Sequence, residues 1–139
     1  MEPGTPREIE GFLNEHSVDV LIIDQMRNLM IPKSEGQTQI LDNAAKLCRK
    51  WARKYNILVV GVTQAGESAR NKVCLEQEDV EYSNTGVAAA ADVMIGVGYN
   101  EDMYNRGLRT LSICKNKRTS GHPNCSVKFN DQTSNMVSL

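Results

Sequence analysis

Aromatic residues are scarce in this sequence, at 5% of 139 residues with one Trp and two Phe, so packing rests on aliphatic side chains. Zinc-type sites are excluded by spacing. The four cysteines (Cys48, Cys74, Cys114, Cys125) form no Cys-x-x-Cys pair, and His16 and His122 have no ligand partner nearby in the sequence. Reduced thiols and surface or cap histidines are expected. The longest apolar stretches, around Val18 to Ile23 and Ile57 to Val62, are far too short to span a bilayer. No secretory pattern appears among the first fifteen residues, which are polar and acidic. The expectation is a cytoplasmic protein without a membrane partner. A formal net charge of -1 supplies no general attraction to nucleic acid. Any phosphate contact must come from local clusters, and two stand out: Arg49, Lys50, Arg53, Lys54 and then Lys115, Lys117, Arg118.

What remains is the composition of one ordinary globular domain, 40% hydrophobic and 24% charged, spanning 1–139. Thr5, Pro6 and Glu8 form an N-cap, first-turn proline and capping box for a helix from Pro6 to Glu15. Val18 to Ile23 is almost continuously apolar, as in strands covered on both faces. A turn-rich loop follows, in which Ser34 and Gln37 fit a second capping box. From Gln37 to Lys54, Ile40, Ala44, Leu47 and Trp51 form one helical row, and Leu41, Ala45, Cys48 and Ala52 the next. The basic residues on the other side complement the helix dipole, and a solvated helix face is favoured for them over DNA binding.

Ile57 to Thr63 reads as a second buried strand, and strand–helix–strand order predicts a parallel pair. Residues 65–86 show no period and are expected to form a mobile loop. Val87 to Ala91 is helix-prone, and Val93 to Val97 predicts a third buried strand. Alternation at Arg109 to Lys115 and Ser126 to Asn130 predicts half-exposed antiparallel strands of a hairpin region over 106–131.

Asp24 and Gln64 end the two strands predicted to lie side by side. Ligands of open α/β sheets bind at the carboxyl ends of strands. A carboxylate there suits Mg²⁺, which keeps oxygen ligands and water, and an amide beside it suits a terminal phosphate. A polar residue ending a strand also serves commonly as a turn cap.

Together these segments resemble the core of RecA-like ATPases. Val18-Asp-Val-Leu-Ile-Ile-Asp24 resembles their Walker B strand, and Ile57 to Gln64 resembles the strand ending in a phosphate sensor. Thr85 to Val97 is similar to the segment after the DNA-contacting loop. Lys115-Asn-Lys-Arg-Thr-Ser-Gly121 resembles the terminal hairpin of DnaB-type replicative helicases, which include phage primase-helicases. The resemblance covers residues 18 to 131 and implies an α/β RecA-like (P-loop NTPase) partial core: a mainly parallel sheet flanked by helices, with a terminal antiparallel hairpin. It implies ATP and Mg²⁺ as cofactors, single-stranded DNA as partner, and a homo-oligomeric ring, a hexamer. By the same resemblance Asp24 holds Mg²⁺, Gln64 senses the γ-phosphate, and Tyr82, Ser83, Asn84, Thr85 and Gly86 contact DNA. Lys115, Lys117 and Arg118 reach a neighbouring subunit's nucleotide, Lys117 or Arg118 serving as the finger cation.

Two departures from the family pattern stand out. The hairpin carries Lys117 where the family has Arg, so the finger is either this lysine or Arg118 after a one-residue shift. A lysine lacks the forked guanidinium. No Gly-x-x-x-x-Gly-Lys-Ser/Thr loop is present to cradle phosphates, and Gln25, not a carboxylate, follows Asp24. The expectation is therefore the carboxyl half of an ATP-dependent DNA helicase motor, inactive as an isolated chain. Alternatives from the sequence are a RecA- or KaiC-type ATPase and a nucleotide-free module that binds DNA or a partner.

Overall fold

In the computed structural model, residues 4–32, 34–82 and 85–139 are described. Their contacts form two compact units, Met1–Gln64 with Glu81–Ala91, and Ala65–Val80 with Asp92–Leu139. The chain is α/β, as expected.

The first unit begins with α1 (Pro6–Glu15), held by the expected capping box. The Glu8 amide donates to Thr5 Oγ1 at 3.3 Å and the Thr5 amide to Glu8 Oε2 at 2.7 Å. Strands β1 (Val20–Ile23) and β2 (Leu58–Gly61) are joined by α2 (Gln37–Tyr55) and followed later by α3 (Gly86–Ala90). Gly36, with positive φ, caps α2. Ser34 instead accepts from the Asn43 side-chain amide at 3.1 Å, so the Ser34–Gln37 capping box is not formed. The C-terminal residue Asn56 adopts the left-handed conformation that favours asparagine after a helix.

Burial of Leu41, Ala44, Ala45 and Trp51 follows the two helical rows of α2, and Ile9, Leu13, Ile23, Met26, Leu29, Val87 and Ala88 join them in the core. Trp51 is fully buried, and its indole N–H donates to Glu10 Oε1 at 2.9 Å. This bond, aided by Lys50, holds the Glu10 carboxyl below its ordinary range.

β1 and β2 pair in parallel, Val20 opposite Leu58 and Ile23 opposite Gly61. One face rests on α2. The other is open: Ile22 is 66% exposed and Leu58 60%, with Val20 and Val60 also exposed. Burial of both faces, expected from the apolar runs, is therefore not met. The apolar pattern suits a layer on each face, and the described residues supply one.

In the second unit, β3 (Val93–Gly98), β4 (Leu108–Asn116), β5 (Asn124–Asn130) and β6 (Asn135–Ser138) form a four-stranded antiparallel sheet in sequence order, with α4 (Glu101–Asn105) between β3 and β4. β3, expected to be buried, likewise exposes Val93, Ile95 and Val97. On β4 the polar residues Thr110 and Ser112 are buried, because residues 65–80 pack here and the Leu75 amide donates to Ser112 Oγ at 3.3 Å. Arg109 is buried with its guanidinium 4.6 Å from the Tyr99 ring and 5.0 Å from that of Tyr104.

Residues 65–80, part of the 65–86 segment expected to be a mobile loop, contain two 3-10 turns, Glu67–Ala69 and Gln77–Asp79. Asp79 organises them. Its carboxylate, 2% exposed, accepts from Ser68 Oγ (2.9 Å), the Glu76 amide (2.8 Å) and Lys72 Nζ (3.0 Å). The density of turn-forming and charged residues that hides any period from the sequence is what builds this network.

Candidate functional site

The parallel register decides where the strand-end residues lie. Hydrogen bonding continues past both strands, from the Val62 amide to the Ile23 carbonyl and from the Met26 amide to the Val62 carbonyl, each at 2.9 Å. Asp24 and Gln64 therefore follow the carboxyl ends of two paired strands, on one edge of the sheet, and both are exposed. Gly61 is required at this edge because a Cβ there would meet the buried Met26 side chain.

Three residues at this edge carry no signal in the sequence alone. The Gln25 side-chain oxygen is buried without a hydrogen-bond partner among the described residues, which is costly unless a ligand or water donates to it. Arg27 lies in the 3-10 turn after β1 and pairs with Glu81 at 3.2 Å. The Glu81 amide donates to the Gln64 carbonyl at 3.0 Å. A lone cation in a turn and one carboxylate in an acidic run are too ordinary to stand out in a sequence.

Asp24 is a hard oxygen donor open to solvent. No group of three or more metal-ligating side chains occurs among the described residues. A single carboxylate beside phosphate oxygens and water is how Mg²⁺ is commonly held, so this donor set fits Mg²⁺.

Tyr82 directly follows Glu81, is exposed, and has a left-handed backbone with φ 58, rare for a bulky residue. Ser83 and Asn84 lie outside the described residues. Thr85 is exposed, and Gly86 begins α3 against α2, where a Cβ would meet the Asp42 carboxylate. Close packing on Asp42 is thus a structural reason for glycine there.

The hairpin cations belong to the second unit. Lys115 sits in β4 opposite Met94. The Lys117 amide donates to the Asp92 carbonyl at 2.9 Å, and its ammonium is 3.6 Å from the Asp92 carboxylate. Asn116 Oδ1 accepts from the Arg118 and Thr119 amides at 3.0 and 3.2 Å, fixing the turn. Arg118 is exposed and makes no ion pair among the described residues.

No helix among the described residues is long and apolar enough to cross a membrane. No protein-family model matches the chain, and no curated protein matches it by sequence. Among solved structures it is similar to a DnaB-like replicative helicase, from a structure that also describes that helicase's interactions with primase. The TM-score is 0.81 at 17% identity, over 98% of this chain and 36% of the helicase chain. The chain thus spans little more than a third of that protein's length and shares its fold over nearly all its own residues.

Proposed function

We propose that this chain is the carboxyl half of the motor domain of a replicative DNA helicase, coupling ATP hydrolysis to movement along single-stranded DNA. The carrying observation is the juxtaposition of Asp24 and Gln64 at the carboxyl ends of two paired parallel strands, in a fold similar to a DnaB-like helicase.

In this reading Asp24 holds Mg²⁺ on bound ATP. When bound, the cation neutralises phosphate charge that develops during transfer. The Gln64 amide hydrogen-bonds the terminal phosphate. Its backbone carbonyl is held by Glu81, next to Tyr82, so a shift of Gln64 on loss of the γ-phosphate is passed to the DNA-contacting segment Tyr82–Gly86. Tyr82 offers an exposed ring on which a base stacks. Lys115, Lys117 and Arg118 serve a neighbouring subunit's nucleotide in a ring, and Arg118 is the better finger because Lys117 is engaged by Asp92. The open apolar face of β1–β2 suits cover by a further layer in the complete motor.

The test is Asp24→Ala in the complete protein. Hydrolysis is expected to fall at least a hundredfold with the circular dichroism spectrum unchanged. Retained turnover rejects the metal role and the reading built on it.

A further inference from the structure

The basic residues of α2 look from sequence like a solvated helix face. In the structure they line a hollow. Lys46, Arg49, Lys50, Arg53 and Lys54, with Gly86, Ala89 and Ala90 of α3, form a groove of about 700 Å³. Five cations in one concavity are unusual in a chain of net charge -1. A cleft lined by one sign of charge focuses its field more than a convex helix surface does. Dipole complementarity accounts for Arg53 and Lys54 in the last turn. Lys46 lies two turns earlier and is outside its range.

Not all five cations are equally available. Arg49 donates to the Ala90 carbonyl at 2.7 Å, which holds α3 against α2 and shapes the groove. Lys50 and Lys54 share the single carboxylate of Glu10, at 3.1 and 3.9 Å. Lys46 and Arg53 are exposed and form no ion pair among the described residues. With Glu10 paired to two of the lysines and the Asp42 carboxylate beside Gly86, the five cations still outnumber the carboxylates at the groove. From residue 46 to residue 54 the row extends about 12 Å along the helix axis, enough to follow a short run of phosphates.

We propose that this groove binds the phosphodiester backbone of nucleic acid. Its aliphatic α3 wall presents no aromatic ring for stacking, so contact is with phosphates and independent of base sequence. A helix crossing between parallel strands runs back against them, so the last turns of α2 lie toward the strands' amino ends, away from Asp24 and Gln64. The groove is thus separate from the nucleotide edge, and shares with the helicase reading only the class of polymer bound.

The experiment is fluorescence anisotropy of the whole chain with a labelled 20-mer oligothymidylate across a salt series. The double variant Lys46→Glu/Arg53→Glu is compared with Arg7→Glu/Lys128→Glu, which changes net charge equally at sites outside the groove. The groove variant is expected to bind at least tenfold more weakly near 0.1 M salt, with the salt slope reduced by about 1.4, and the control within twofold of wild type. Equal effects of the two variants, no measurable binding by the unmodified chain at about 50 mM salt, or equally tight binding of a poly-glutamate peptide overturns the proposal. Tyr82→Ala is measured beside them. A loss there with none from the groove variant removes the groove and leaves the DNA-contacting segment standing; the converse does the opposite.

Discussion

Arg27 and Glu81 form an ion pair at 3.2 Å between two segments distant in sequence, and the Glu81 amide holds the Gln64 carbonyl at 3.0 Å. The pair thus anchors the start of the Tyr82 segment to the strand edge where a phosphate sensor is proposed. Both side chains are about one-third exposed, so its worth to folding is small, roughly 0–1 kcal/mol. Its value in the proposed motor is to transmit movement.

Substitution of Glu81 by Ala in the complete protein is accordingly expected to leave basal ATP hydrolysis within about twofold while lowering its stimulation by single-stranded DNA at least fivefold. Steady-state turnover with and without oligothymidylate measures this. Equal stimulation in both proteins shows that the Arg27–Glu81 pair carries nothing.

The two hairpin cations should separate cleanly. Arg118→Ala is expected to lower DNA-stimulated hydrolysis by about a thousandfold, the usual scale for a lost finger, and Lys117→Ala by less than tenfold. Lys117 is occupied by Asp92, whereas Arg118 makes no ion pair among the described residues. The reverse ranking identifies Lys117 as the reacting cation.

Asp79 gives a prediction about the chain itself. Burial pushes its carboxyl upward, but the Glu76 amide, Lys72 and Ser68 together outweigh burial and hold it below its ordinary value. A depressed folded-state value means that the carboxylate stabilises fully above the ordinary aspartate range, near pH 4. The stabilisation disappears as pH falls through the folded value. Urea unfolding at pH 7 is expected to show Asp79→Asn less stable by roughly 1–3 kcal/mol, and the difference should shrink near pH 3. A constant difference at both pH values contradicts the charge argument.

The sequence made some of this legible and hid the rest for identifiable reasons. Thr5, Pro6 and Glu8 specify α1 locally, and the structure begins and ends that helix at Pro6 and Glu15 as expected. The α2 rows, with Trp51 at their centre, are equally plain because helical period alone reports the buried face. Parallel pairing of β1 and β2 followed from the crossover, and with it the common edge for Asp24 and Gln64. Burial is not legible where it depends on what lies outside the strand: Ile22 and Ile95 are apolar yet open. The 65–80 turns were invisible because Asp79 acts through contacts with Ser68, Lys72 and Glu76 that no periodicity records. Arg27 and Glu81 were missed for the same reason, being 54 residues apart.

The most direct measurement is the metal dependence of nucleotide binding in the complete protein, using Mn²⁺ in place of Mg²⁺ and following its electron paramagnetic resonance signal. With wild type, nucleotide and metal should bind together, whereas Asp24→Asn should weaken the bound-metal signal at least tenfold and leave metal-free nucleotide affinity within about threefold. An identical metal signal in the two proteins would contradict the assignment of position 24 to the nucleotide's cation.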